Sequence, residues 1–301
     1  MHLLIDADSL IYKAACPCET KEYIVSIDDR EVMRFQYKKD MMEFVENMDA
    51  SWGDFEWTHE VTHVEPAINA IHALKLKIDT ILDETKPDSF SLYLTRGENF
   101  RHKLATSLPY KGNRAPKPVH HPSCFIYLVE QYGAHVVEGL EADDVVTMHQ
   151  KTDGSTCIAH IDKDLDTVAG HHFNYDTFKF YEITEQEALC NFYRQMLVGD
   201  TSDNIEGVKG IGKVKAERMI NPRMKEQEMI NVVLDEMAKE CSTPSDASEK
   251  WEKITERGRL LHMTRELDSD GYPVLWELPS PYATVPVFFL GDKQRTEFFG
   301  F

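Results

Sequence analysis

Four groups of acids stand out by type and spacing: Asp6 with Asp8; Glu141, Asp143 and Asp144; Asp162, Asp164 and Asp166; and Asp200 with Asp203. Carboxylate oxygens are the preferred ligands of hard divalent cations such as Mg²⁺ and Mn²⁺. Several held together could carry two ions and serve an in-line phosphoryl displacement, stabilising both the attacking and the leaving oxygen. Without cations, such a cluster would repel itself or drive some of its pKa values upward. Each group also has a plainer explanation. Acids at helix starts cap the helix and complement its dipole, and 52 acidic residues produce short runs by chance. Four groups in succession at strand or helix ends are harder to attribute to capping.

The acids are followed by a second pattern. Residues 204–216 carry glycines at 207, 210 and 212, with Lys209, Lys213 and Lys215 between and after them. Glycines permit a tight turn, and its free amides together with a following helix start can cradle phosphate without touching a base. This is the pattern of a helix-hairpin-helix that grips a DNA backbone; a plain connector would explain the glycines but not the lysines. A third pattern is a basic island over residues 96–117, with Arg96, Arg101, Lys103, Lys111, Arg114 and Lys117 in a chain whose net charge is −19. Fixed cations there, Lys111 and Arg114 above all, could stabilise negative charge at a scissile phosphate, the alternative being a solvated loop.

Positioning these groups requires strands that end beside them. Apolar runs at residues 3–5, 90–94, 135–137 and 156–161 read as buried strands, and the helical spacing of Ile68, Ile71, Leu74, Ile78 and Leu82 places a helix between the first two. The alternation predicts an α/β domain with a mainly parallel central sheet flanked by helices, whose ligands bind at the carboxyl ends of the strands. Asp200 and Asp203 follow a helix ending at Val198 and are expected one helical turn apart on one face. Residues 17–63 read as an insertion containing a hairpin over 22–37. From residue 184 the pattern is helical, interrupted by a polar linker at 241–248 and closed by an aromatic tail from Ser280 that packs or docks a partner.

Composition narrows the function. The charge of −19 excludes whole-surface affinity for nucleic acid, so contact with DNA must be local or cation-mediated. Six cysteines without paired CxxC spacing argue against zinc knuckles. The apolar opening at residues 1–5 is too short for a secretory signal or a membrane span, so a cytoplasmic protein is expected.

Together these residues resemble the flap endonuclease and 5′-to-3′ exonuclease family, in its phage-encoded and bacterial branch. The matching pieces are Leu4-Ile5-Asp6-Ala7-Asp8, Phe100-Arg101 followed by Pro109-Tyr110-Lys111-Gly112-Asn113-Arg114, Gly139-Leu140-Glu141-Ala142-Asp143-Asp144, Asp162-Lys163-Asp164-Leu165-Asp166, and Gly199-Asp200-Thr201-Ser202-Asp203-Asn204 running into the glycine hairpin. They cover roughly residues 1–220. The resemblance implies a PIN-like nuclease core over 1–183, with a helical arch at about 98–122 and a helical region over 184–301. It implies one ion among Asp6, Glu141, Asp143, Asp144, Asp162 and Asp164, and a second placed with the help of Asp200 and Asp203. Lys111 and Arg114, with Arg101, become the catalytic cations at the foot of the arch. The hairpin, through Gly207, Lys209, Gly210, Gly212, Lys213 and Lys215, holds duplex DNA and a K⁺ ion on its carbonyls. One departure is visible: the family often carries an aspartate shortly before the Phe-Arg pair, where this chain has Thr95-Arg96-Gly97-Glu98, leaving Glu98 as a substitute or the ligand absent.

The expected activity is Mg²⁺- or Mn²⁺-dependent hydrolysis at duplex DNA ends and 5′ flaps, extending to RNA-DNA hybrids in primer removal, by a monomer working beside replication proteins. Two rivals remain: a ribonuclease of a related acid-lined fold, and a non-catalytic DNA-structure-binding module.

Overall fold

The computed structural model describes residues 1–27, 30–47, 59–239 and 244–279. In chain order its elements are β1 (His2–Asp6), α1 (Asp8–Ala15), β2 (Glu19–Ile27), β3 (Arg30–Phe35), α2 (Lys38–Glu46), β4 (His59–Val64), α3 (Ala67–Thr85), β5 (Ser89–Asn99), α4 (Arg101–Leu104), α5 (His121–Tyr132), β6 (His135–Gly139), α6 (Ala142–His149) and β7 (Thr156–His160). After a 3-10 turn at Lys163–Thr167 come β8 (Gly170–Asn174), β9 (Lys179–Ile183), α7 (Glu185–Val198), β10 (Gly199–Asp200), β11 (Ile205–Glu206), α8 (Lys213–Met219), α9 (Glu226–Ala238) and α10 (Pro244–Leu261).

Two compact units divide these elements. The first contains Met1–Ser9, Ile81–Pro116 and the chain from Gly133 onward. Its sheet has the order β6-β5-β1-β7-β8-β9, parallel throughout except for β9, which returns antiparallel to β8. β1 lies between β5 and β7, with Leu3 opposite Phe90 on one side and Cys157 on the other. Central parallel strands are covered on both faces, which is why β1 and β7 read as unbroken apolar runs. Ala142 and Val146 of α6 pack on Leu4, Tyr93 and Ile158 of the sheet, with Leu165, Val168 and Met263 completing the cluster. A second cluster joins Phe192, Tyr193, Met196 and Leu197 of α7 to Ile230, Val233 and Leu234 of α9 and to Leu260 and Leu261 of α10. Each fully buried aliphatic side chain contributes about 1.5–3 kcal/mol relative to exposure.

The second unit contains Leu10–Thr80 and Lys117–Tyr132. Its antiparallel sheet β3-β2-β4 pairs Tyr23 with Phe35 and Glu19 with Val64. The expected hairpin over 22–37 is therefore present, its turn residues 28 and 29 lying outside the described residues.

Two expectations need correction, and two strands went unread. The segment 98–122 forms no continuous helix: it starts as the end of β5, makes the single turn of α4, and contains only turns and irregular chain from Ala105 to His120. Pro109, Pro116 and Pro118 remove amide donors there and clash with a continuing helix. The linker expected at 241–248 is helical from Pro244, a residue suited to a first helical turn. Strands β8 and β9 escaped the sequence pattern because His171 and His172 interrupt the apolar run and no glycine-type turn joins the pair. The aromatic tail from Ser280 lies outside the described residues.

Candidate active site

The acids gather at the carboxyl end of the sheet in the first unit. Asp6 ends β1 and is 2% exposed; its Oδ1 accepts from the Asp8 amide at 3.2 Å. Asp8 is held in turn by the Thr95 amide, 3.1 Å and 3.2 Å from its two oxygens. Glu141 caps α6 in a reciprocal box with Asp144, and Asp143 follows in the first turn of that helix. Asp162 caps the 3-10 turn by accepting from the Asp164 amide at 2.9 Å.

Asp200 and Asp203 do not share a helical face, because α7 stops at Val198 and both lie in the short β10-β11 turn. They are nevertheless brought together: Asp200 Oδ1 accepts from the Ser202 amide at 2.7 Å and from the Asp203 amide at 3.3 Å.

The electrostatics divide the acids into two lobes joined at Asp162. Burial, then Asp8 and Asp162, push Asp6 well above the carboxylate range; burial, then Asp6, Asp162 and Glu141, do the same to Asp143. In the other lobe, burial, then Asp162 and Asp200, push Asp164 up to about 8. Burial raises Asp162 as well, with Asp203 and Asp200 adding to it.

Some negative charge is met internally. Burial opposes ionisation of Glu141, yet Lys111 and Arg101 outweigh it and hold that carboxyl low. Burial of Asp200 is likewise outweighed by Lys163. That ion pair is imperfect: Asp200 Oδ2 lies 2.8 Å from Lys163 Nζ without an aligned hydrogen bond. Among the described residues, no three His, Cys, Asp or Glu groups form a preassembled metal shell. The donor set still suits a hard cation, since it is entirely oxygen, with Asp143 repelled by Asp6 and Asp164 by Asp162 and Asp200.

The turn Pro109–Arg114 sits over these acids. The Lys111 amide donates to the Asp203 carbonyl at 3.0 Å, Asn113 Nδ2 to the Thr201 carbonyl at 2.9 Å, and Asn204 Nδ2 to the Pro109 carbonyl at 3.0 Å. Lys111 is in the left-handed region at φ 55°, and its ammonium pairs with Glu141 and lies 3.8 Å from Asp203. Arg114 donates to Asp203 Oδ1 at 2.8 Å while its side chain is half-exposed. Sequence reasoning passed over Tyr110, although it stands in the quoted motif: its buried hydroxyl lies 2.7 Å from Asp203 Oδ2 and 3.0 Å from Glu141 Oε2. It also missed Gln195 of α7, whose Nε2 donates to Asp164 Oδ1 at 2.6 Å.

Two candidate residues are placed differently from the expectation. Arg101 is 0% exposed, with its guanidinium spent on Asp144 and on the carbonyls of Leu260 and His262, so it faces no substrate. Asp144 is also 0% exposed and gives both oxygens to Arg101 at 2.7 Å, with the Thr264 amide on Oδ1 and the Glu141 amide on Oδ2. It is an internal counter-ion and helix cap, with no oxygen turned to a cation. Glu98 is exposed and is not among the charges that raise Asp6, Asp143 or Asp162. Near the strand end, Thr95 stands beside Asp8 and also caps α6 through its hydroxyl, 2.9 Å from the Ala142 amide.

Residues 199–212 separate α7 from α8, with Lys209, Lys213 and Lys215 exposed. The Val208 amide donates to the Leu197 carbonyl at 2.7 Å, folding the glycine turn back on α7. A Cβ on Gly207 would meet the Val198 carbonyl oxygen at 2.1 Å, whereas one on Gly210, at φ 76°, would meet open space. Gly207→Ala should therefore cost about 3 kcal/mol by overpacking, and Gly210→Ala about 1–2 kcal/mol from backbone handedness alone. Urea denaturation of the two variants checks the order.

Asp164 keeps its proton in the fold between about 3.8 and about 8, where the unfolded chain has lost it. The metal-free fold therefore loses stability as pH rises through that window. A divalent cation that takes the proton's place should raise Tm little at pH 6 and much more at pH 8.5, as thermal melts with Mg²⁺ and with chelator will measure.

No family model matches the sequence. The chain is similar to DNA polymerase I of Bacillus caldotenax, 28% identical over an alignment of 175 residues that covers 50% of this chain and 20% of that protein. It thus spans about a fifth of that relative's length. Among solved structures it is similar to a T5 protein co-crystallised with metal ions, at 15% identity and a TM-score of 0.52, over 86% of this chain and 88% of the other. A bacteriophage T5 flap endonuclease complexed with DNA and metal ions aligns over the same shares at a TM-score of 0.49. The first structural likeness establishes a common fold, a mainly parallel sheet flanked by helices. No helix among the described residues is long and apolar enough to cross a membrane.

Proposed function

We infer that this chain is a divalent-metal-dependent nuclease of the flap endonuclease and 5′-to-3′ exonuclease family, hydrolysing phosphodiesters at duplex DNA ends and 5′ flaps. One observation carries the inference: carboxylates from four separated segments converge in two lobes, each of acids that repel one another, that meet at Asp162. The likeness to a DNA polymerase I over half the chain and the shared fold with the T5 protein support it.

On this reading Asp6, Glu141, Asp143 and Asp162 would hold one cation, and Asp164, Asp200 and Asp203 would help hold a second. Bound divalent cations supply Lewis-acid stabilisation of the phosphoryl oxygens and lower the pKa of the attacking water. The chain's own residues do the rest. Lys111 and Arg114 are anchored to acids at one end of the site, where a phosphate can compete for their N–H donors and receive fixed positive charge. Tyr110 fills the space beneath them and keeps Glu141 and Asp203 apart from bulk water. Lys209, Lys213 and Lys215, with the amides of the 207–212 turn, would grip duplex backbone away from the cut, and a K⁺ on the turn's carbonyls belongs to the same proposal. So do a nuclease core over 1–183 with a gripping region over 184–301, action on RNA-DNA hybrids, a monomeric state, and contacts with replication proteins.

Release of nucleotides from 5′-labelled duplex, 5′-flap and RNA-DNA hybrid substrates, with Mg²⁺ and with chelator, tests the reading. Metal-dependent cutting of duplex ends or flaps is expected. Cutting of RNA alone would favour a ribonuclease, and binding without cutting a structure-sensing module.

A further inference from the structure

The turn bearing Asp162 and Asp164 is held by polar side chains that project from strands carrying none of the clustered acids. Tyr181 of β9 donates its hydroxyl to Asp166 Oδ1 at 2.8 Å, and the Tyr181 hydroxyl oxygen lies 3.1 Å from His160 Nε2. His172 of β8 packs edge-on against His160, with ring centroids 5.0 Å apart, and its Nε2 donates to the Val168 carbonyl at 2.9 Å, just past the turn. With a proton on the carbonyl-facing nitrogen of each ring, His160 Nε2 and His172 Nδ1 face each other at 2.9 Å as acceptors and share no hydrogen bond. The other nitrogen of His160, Nδ1, donates to the Asp162 carbonyl at 2.7 Å; a carbonyl can only accept, so the proton is on nitrogen. Asn191 of α7 adds a bond from Nδ2 to the Asp166 carbonyl at 2.9 Å.

His160 and His172 are 1% and 0% exposed, so both imidazoles are shielded from solvent. Aliphatic residues would fill this space between strands without needing matched acceptors for buried N–H groups. What they could not do is fix the main chain at Asp162 and the side chain at Asp166, the two ends of the short turn from which Asp164 projects. Partners behind ligating groups commonly set metal affinity in this manner.

We propose that Tyr181, His160 and His172 are positioning residues that hold the Asp162–Asp166 turn in the conformation that binds cations. The proposal rests on the metal-dependent reading above. Its decisive link is His160 Nδ1 to the Asp162 carbonyl, and substitutions can isolate that link: an asparagine amide reaches the place of Nδ1, a glutamine amide the place of Nε2.

Mn²⁺ titration of the metal-free chain by calorimetry, without DNA, is the test, with circular dichroism and melting curves as controls for folding. Tyr181→Phe keeps the ring stacked on His172, at 5.3 Å between centroids, and removes only the hydroxyl. Tyr181→Phe and His160→Gln should each weaken Mn²⁺ binding about tenfold. In cleavage assays at fixed Mn²⁺ below saturation they should lower kcat with little change in KM for DNA, and high Mn²⁺ should restore kcat. His160→Asn should stay within about threefold of the parent. Parent-like Mn²⁺ affinity in folded Tyr181→Phe and His160→Gln overturns the proposal, as does an equal loss in His160→Asn and His160→Gln. Failure of the unaltered chain to bind Mn²⁺ overturns the metal-dependent reading itself and is seen before any variant is made.

Discussion

Asp143→Asn combined with Asp164→Asn will abolish cleavage while leaving affinity for flap DNA within about threefold. The two residues lie in different lobes, and each is raised by burial and then by its neighbours' charge, so each lobe loses an anionic oxygen that nothing else replaces. A cation at such a site stabilises the transition state by several kcal/mol. At about 1.4 kcal/mol per tenfold, losing that contribution corresponds to a fall in kcat of at least about 10³. DNA affinity should survive because the exposed lysines at 209, 213 and 215 are untouched. The same substitutions remove repulsion, so the metal-free double variant should melt above the unaltered chain at pH 8, and its Tm should respond weakly to Mg²⁺. Retained turnover with normal Mg²⁺ dependence would sink the proposed site.

The parts of this arrangement that sequence revealed are those governed by local rules. Parallel strands buried on both faces read as apolar runs at 3–5, 90–94 and 156–161, and a polar residue directly after such a run must emerge at the sheet's carboxyl end. Asp6 and Asp162 were legible for that reason. Residue type alone does not reveal who neutralises whom. Arg101 and Asp144 look, in sequence, like a phosphate-binding cation and a metal ligand, yet each satisfies the other in the interior. That pairing depends on α10 delivering the carbonyls of Leu260 and His262, more than 150 residues away. Tyr110 reads as an ordinary core aromatic, and its role follows only from Glu141 and Asp203 lying on either side of its hydroxyl. The histidines of β8 argue against a strand in a periodicity count, because the polarity of His172 is met only by the Val168 carbonyl of a neighbouring turn.

Arg101→Met should destabilise the fold by about 3–5 kcal/mol without specifically disabling catalysis, since removing one member of a buried ion pair leaves the other charge uncompensated. Asp144 would keep two amide donors, from Thr264 and Glu141, but lose the bidentate guanidinium that spans both its oxygens. The carbonyls of Leu260 and His262 would lose donors at the same time, loosening the end of α10 from α4. Lysine is a poor replacement, because a point charge cannot reproduce the planar fork. Arg101→Met with Asp144→Leu should regain much of the loss, as apolar pairs of similar volume often match or exceed a buried ion pair. Urea denaturation of both single variants and the double variant measures this coupling, and cleavage by Arg101→Met at low temperature, where it remains folded, should stay within about tenfold of the parent. A normal unfolding midpoint together with a hundredfold fall in kcat would instead place the Arg101 guanidinium against the reacting phosphate, and the buried geometry around Asp144 would have to open to allow it.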